Sequence, residues 1–535
     1  MKPKNLRLIS FFILTLFLFQ LIFATPIMRV KAQTNNGIAV VYKSFGGKKW
    51  DQFFGVSVTP DGGCIAVGSS NSADRDMAGL NKGDFDAIIV RYDSKGNIKW
   101  KKGFGGSGLD KFEGVAVTPD GGCIAVGASS SSDGDMAGLN KDDFDAIVVK
   151  YDSKGNIKWK KSFGGDSLDQ FFGVAITPDG GCIAVGFSAS DDEDMLGLSK
   201  GDSDAIIVKY NKEGKLEWKK SFGGSNRDFF NEVAVTPDGG CIAVGYSESN
   251  DRDMAGLSKG DIDAIIVKYN KEGKIKWKKS FGGSKVDYFF GVSVTPDGGC
   301  IAVGSSNSAD GDMVGLNKDD FDAIIVRYDS KGNIKWKKGF GGSKVDYFCG
   351  VAVTPDRGCT AVGFSTSDGG DMTGLNKGDS DAMIVKYNIE GKMEWKKSFG
   401  GSSGDYFNEV AITPDGGYIA VGYSYSNDGD MAGLNKGDRD AIIVKISKQI
   451  KVIKVNGVKL NKTNITLKEG AKDKLIATVI PSNATNRGVT WTSSNSKVVK
   501  VDSNGNLTAL DKGTATITVR TVDGGYKATC KVVVK

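Results

Sequence analysis

Histidine is absent from all 535 residues. Its absence removes the usual general base near neutral pH, the Ser-His-Asp arrangement and every imidazole metal site. Nucleophile elbows and Walker loops are missing too, so no familiar catalytic constellation stands in the chain. Apart from residues 8–24, no segment is long and apolar enough to cross a bilayer. Cysteine is scarce at 8 residues, and six of these occupy one repeated position, Cys64, Cys123, Cys182, Cys241, Cys300 and Cys359. Equivalent positions in neighbouring copies should exceed the roughly 7 Å reach of a disulfide, so these thiols, with Cys349 and Cys530, are expected to be reduced and mostly buried.

What the chain has in abundance is repetition. Phe-Gly-Gly begins at Phe45 and returns at Phe104, Phe163, Phe222, Phe281, Phe340 and Phe399, a period of 59 residues. Each unit carries four β-like runs separated by turn signals. In the second copy these are Gly114-Val115-Ala116-Val117, Cys123-Ile124-Ala125-Val126-Gly127, Ala146-Ile147-Val148-Val149-Lys150-Tyr151 and Ile157-Lys158-Trp159-Lys160. Thr118-Pro119-Asp120-Gly121-Gly122 makes the first turn, with proline presetting φ and glycine accepting φ > 0. Such a meander cannot bury both faces alone and must stack against its copies. The fold class expected is therefore all-β: a seven-bladed β-propeller of four-stranded repeats over residues 33–447, then a small Ig-like β-sandwich. The seventh unit lacks its outer Trp strand, and residues 38–43 sit in the register to supply it and close the ring.

Residues 1–32 read as a secretory signal peptide, with basic residues, an apolar run and a small-x-small site ending at Ala32. Residues 448–452 read as a linker, and 453–535 as a separate domain. Within it, Ala477-Thr478-Val479-Ile480-Pro481-Ser482-Asn483-Ala484, Val489-Thr490-Trp491-Thr492-Ser493-Ser494-Asn495 and Gly513-Thr514-Ala515-Thr516-Ile517 closely resemble the bacterial immunoglobulin-like domain, group 2. The 59-residue units resemble secreted bacterial β-propeller repeats. That resemblance implies a secreted, bacterial surface protein, and fold alone does not name an activity.

Charge separates the two regions. Residues 448–535 hold 16 Lys/Arg against 5 Asp/Glu, net +11, whereas residues 33–447 carry 49 against 59, net −10. A basic tail suits anionic polymers outside the cell, or simple solubility. No Leu-Pro-x-Thr-Gly motif is seen, so covalent attachment to the wall is not expected.

Two sets of residues are candidate sites. The long loop of each unit repeats acids: Asp74, Asp76, Asp84 and Asp86 in the first, and Asp135, Asp194, Asp253, Asp312, Asp371 and Asp430 as later equivalents of Asp76. Dense carboxylates suit Ca²⁺, although the spacing is not that of an EF-hand, and Asp equally bonds backbone N–H groups at turns. The second set varies where its neighbours are constant. Phe229, Tyr288, Tyr347 and Tyr406 stand where Gln52, Lys111 and Gln170 stand in the first three copies, near the mouth of the expected channel, as a ligand rim or as drift on a tolerant surface. The repeated Trp is expected to pack between blades. Together these features point to a secreted or wall-associated, non-enzymatic adhesion protein whose propeller recognises an envelope polymer, glycan or extracellular protein. No nucleic-acid partner and no membrane span after signal removal are expected. The alternatives are a carbohydrate-active or quinone-dependent enzyme, for which a blade-specific acid cluster in the channel would speak, and a purely structural envelope component.

Overall fold

The computed structural model describes residues 31–35, 38–448, 453–484 and 486–535. The apolar run read as a signal peptide and the linker residues 449–452 lie outside the described residues. The chain divides into two compact units at Lys448/Gln449.

Among the described residues, the first unit holds seven antiparallel sheets. The first blade runs Asp51–Val58, Cys64–Ser70, Asp86–Tyr92 and Ile98–Phe104 in sequential order. Its middle strands are buried along their whole length and read as continuous apolar runs, whereas Ile98–Phe104 is partly exposed and alternates with lysine. This is the gradient expected when a sheet is covered on both faces and open only at its outer edge. Side-chain alternation sends Ile65, Val67 and Ile89 toward Phe112 and Cys123 of the next blade. Cys64, Ala66 and Ile88 face Phe45, Ile419 and Ile443 of the seventh. At the seam between the first two blades Phe104 and Phe112 meet with ring centroids 5.4 Å apart. Burying each such ring is worth about 1.5–3 kcal/mol, so the inter-blade seams supply much of the stability of the ring.

Closure follows the expected scheme and extends it. Ile38–Phe45 pairs antiparallel with Asp440–Lys448, Phe45 opposite Ala441 and Ile38 opposite Lys448. A further strand, Lys31–Asn35, pairs with it and makes this sheet five-stranded. Lys31 and Ala32, placed by sequence at the end of the leader, belong to that strand.

The repeated tryptophan fills the seams. Trp100 Nε1 donates to the Ser153 carbonyl of the next blade at 3.1 Å, and its ring lies so close to Gly155 that a Cβ there would stand 2.9 Å from it. At the closing seam Val41 pairs with Lys445 as Trp100 pairs with Arg91, so a small side chain occupies the tryptophan position. A cavity of about 180 Å³ lined by Val41, Tyr92, Gly96 and Ile443 results.

In the second unit, Asn464–Leu467, Lys527–Val534, Gly513–Thr521 and Val489–Ser493 form one sheet, in that order, and Lys472–Lys474, Asn506–Ala509 and Val499–Val501 another. Leu475, Leu507, Ile517, Cys530 and Val532 pack into its core. All 8 cysteines are free, and burial pushes Cys64, Cys182 and Cys241 up to about 12. Among the described residues, no helix is long and apolar enough to cross a membrane.

Candidate ligand-binding face

The loops between second and third strands share one face with the blade-to-blade connections. The aspartate that opens each first strand is the frame of this face. Asp51 is fully buried; its Oδ2 accepts from Gly47 N at 2.8 Å and Ser72 Oγ at 2.9 Å, and its Oδ1 from Ser70 Oγ. Only glycine fits at Gly46, where φ is +146° and a Cβ would stand 2.3 Å from Asp51 Oδ2. Burial raises these carboxyls and the hydrogen bonds pull them back, leaving Asp169 and Asp228 at about 6.

The acids proposed from sequence as calcium ligands are dispersed among structural tasks. Asp76 Oδ2 accepts from Gly46 N at 3.2 Å and Lys436 Nζ at 2.6 Å. The same lysine-to-aspartate link joins Lys200 to Asp253 at 2.7 Å, Lys259 to Asp312 at 2.6 Å and Lys377 to Asp430 at 2.8 Å, and it also engages Asp135, Asp194 and Asp371. These ion pairs staple each blade to the next, and Lys436–Asp76 closes the circle. Asp86 is buried and accepts from Lys82 N at 2.7 Å and Gly83 N at 3.2 Å, Asp74 accepts from Lys48 N at 2.9 Å, and Asp84 is exposed. Among the described residues no three acids or cysteines converge to hold a metal ion. Carboxylates already bonded to lysine and amide donors would have to surrender those partners to bind Ca²⁺.

The varying rim residues do come together. Phe229 stacks on Tyr246 at 4.8 Å, Tyr288 meets Tyr246 at 4.9 Å, Tyr347 stacks on Phe364 at 5.1 Å and Tyr406 on Tyr423 at 4.8 Å. Phe364 meets Tyr406 at 4.8 Å, and Phe290 and Phe321 bridge Tyr288 to Tyr347. Phe229–Tyr246, Tyr347–Phe364 and Tyr406–Tyr423 are cross-strand pairs between the second residue of the first strand and the sixth of the second, and the other contacts pass from blade to blade. With Phe187 of the third blade 4.5 Å from Phe229, a continuous arc of rings lines the channel mouth from the third blade to the seventh. The arc ends at Arg439, whose guanidinium lies 4.9 Å from the Tyr423 ring and 4.6 Å from that of Trp50.

In the first two blades the arc is interrupted. The pairs there are Gln52 with Ser69 and Lys111 with Ala128. The space released is a cavity of about 490 Å³ with Phe85 and Phe144 in its walls and Trp50, Leu109 and Leu168 at its lip. Those three lip residues are 45%, 38% and 37% exposed. Sequence reasoning missed the lip, because Trp50 meets Arg439 through a parallel bridge that exists only once the ring is closed.

Deeper in the channel five first strands carry glycine (Gly55, Gly114, Gly173, Gly291, Gly350), while the fourth and seventh carry Glu232 and Glu409. Each accepts from its own following amide, Val233 N and Val410 N, at 2.8 Å. Enclosure by protein raises both carboxyls above the ordinary glutamate range, and the charge of Glu409 raises Glu232 further.

Comparison with known proteins adds identity to one part. Residues 454–532 match the bacterial Ig-like domain (group 2). An uncharacterized protein of Clostridium acetobutylicum is 44% identical over 79 residues, 15% of this chain and 20% of that one. The kappa-carrageenase of Pseudoalteromonas carrageenovora is 45% identical over 73 residues, 14% of this chain and 18% of that enzyme. Regulatory protein FlaEY of Caulobacter vibrioides is 22% identical over 355 residues, 63% of this chain and 35% of its own. The chain thus spans about a third or less of the length of these relatives. Among solved structures, the Neurospora crassa Pan2 WD40 domain aligns over 78% of this chain and 97% of its own, at 8% identity and a TM-score of 0.41. Blade geometry and domain match together make this chain a seven-bladed β-propeller followed by a bacterial Ig-like domain of group 2.

Proposed function

We propose that this is a non-enzymatic binding protein of the cell surface or extracellular space. The propeller recognises a partner through its channel-mouth face, and the Ig-like domain spaces it from the wall or associates it with the wall. One observation carries this reading. The aspartate, serine and lysine framework of the face is repeated blade after blade, while the residue before each opening aspartate changes through Trp50, Leu109, Leu168, Arg227, Val286, Val345 and Gly404. Conserving a frame while diversifying what it exposes is what a recognition surface requires, and an exposed apolar lip edged by polar groups is its usual form. The Ig-like domain fits a surface or extracellular role.

The test is sedimentation with purified cell walls across a salt series. The full chain should sediment at about 0.1 M salt and be largely released at about 1 M, as the Debye length falls from roughly 10 Å to 3 Å. Removal of residues 453–535, which carry the positive charge, should abolish the salt-sensitive part. Absence of any sedimentation at low salt would count against the reading.

The pair Glu232 and Glu409 favours a second reading, a carbohydrate-active enzyme, because these acids break the repeat in two blades only. Hydrolysis of a polysaccharide that is lost in Glu232→Gln and Glu409→Gln would replace the first reading with this one.

A further inference from the structure

The gap in the aromatic arc is a built cavity. Five blades fill this level of the mouth with at least one ring, whereas the first two present Gln52 with Ser69 and Lys111 with Ala128. A volume of about 490 Å³ is that of a small-molecule site, in the range of roughly 300–1,000 Å³. An aromatic and aliphatic lip above it, Trp50, Leu109 and Leu168, offers flat apolar surface to whatever enters.

The polar lining says what would enter. Lys111 is neutralised by Glu113 at 3.0 Å, and Asp110 is closed off by Ser129, Ser131 and Gly106 N. Arg439 is enclosed by the rings of Trp50, Tyr423 and Tyr425. Lys111 and Asp110 thus have partners, and the unpaired charge of Arg439 is covered by rings, so no open charge faces an ionic ligand. What remains are neutral hydrogen-bonding groups. Gln52 donates through Nε2 to Ser69 Oγ at 3.0 Å and Gln170 to Glu113 Oε1 at 3.2 Å, which leaves their carbonyl oxygens as acceptors. Arg439, only 8% exposed, is taken up by those rings and donates to the Tyr425 hydroxyl at 3.2 Å, so it serves as wall rather than as a ligand contact.

From this combination we infer that the cavity between the first, second and third blades binds a neutral sugar ring, its C–H face against the Trp50 lip and its hydroxyls on the Gln52 and Gln170 carbonyls. A sugar hydroxyl donates to an amide carbonyl and brings no charge that the lining would have to match. The inference rests on the channel-mouth reading above and gives its ligand class.

The test uses the full chain and calorimetric titration with neutral hexasaccharides of gluco, manno, galacto and xylo configuration. A hexagalacturonate and an acidic tyrosine-containing peptide serve as the other arms. Gln52→Tyr is the decisive variant, since Tyr opposite Ser69 recreates the Tyr288–Ser305 pair of the fifth blade and fills the cavity without disturbing the frame. At least one neutral hexasaccharide should bind, and Gln52→Tyr and Trp50→Ala should each weaken it by about tenfold or more with unchanged melting. Binding of the galacturonate or peptide alone would overturn the ligand class. Saccharide binding indifferent to both variants would overturn the site while leaving surface recognition standing, and no binding in any arm would overturn the inference.

Discussion

Glu232 and Glu409 are the residues at which physical cost is most visible. Both hold a proton more tightly in the folded protein than in the unfolded chain, because enclosure disfavours the charged form. The sign of the linkage follows. Their contribution is fully present below the unfolded value of about 4.3 and is lost as pH rises through the elevated folded values. Asp169 and Asp228, at about 6, act in the same direction over a lower window. The propeller should therefore melt higher at pH 5 than at pH 8.5. Glu232→Gln with Glu409→Gln should flatten that dependence and raise the melting temperature at pH 8.5, where the wild-type carboxylates must be held charged in the enclosed channel. Thermal unfolding of both proteins across that range checks this, and an unchanged slope would show that the two carboxyls titrate normally.

At the scale of elements, the closing seam is the one place where the repeat is broken by necessity. The strand Ile38–Phe45 replaces an outer strand that in six blades brings its own tryptophan, and Val41 leaves about 180 Å³ unfilled. Val41→Trp should seat on the turn at Gly96 as Trp100 seats on Gly155, raising stability by about 0.5–2 kcal/mol, the usual yield of a filled cavity. Differential scanning calorimetry measures it; a lower melting temperature would mean that Lys43, which already reaches the Gly96 carbonyl, leaves no room. The strands themselves were legible because a 59-residue period repeats every turn and apolar run seven times, and the missing Trp strand pointed to residues 38–43. Strand Lys31–Asn35 was not, because its alternation merges with the segment read as a leader. The aspartates of the long loop were visible, but their lysine partners were overlooked. The available signal was a constant separation of 53 residues between Lys82 and Asp135, Lys141 and Asp194, and so on around the ring.

For the whole molecule, symmetry and its violation divide stability from recognition. Features repeated in all seven blades, the buried aspartates, the lysine staples and the phenylalanine seams, belong to the frame. Features confined to some blades gather on the channel: the glutamate pair, the interrupted aromatic arc and the Trp50 lip. The arc could be suspected from Phe229, Tyr288, Tyr347 and Tyr406 alone, but the gap depends on cross-strand partners and on a contact between residues 50 and 439 that only ring closure creates. Hydrogen-exchange mass spectrometry of the full chain, with and without purified cell-wall polysaccharide, reads whether the channel mouth is where a partner binds. Recognition at the channel mouth should add protection around Trp50–Gln52, Leu109–Lys111 and Leu168–Gln170, with the outer strands unchanged. Protection confined to residues 454–532, with none at the channel mouth, would contradict it.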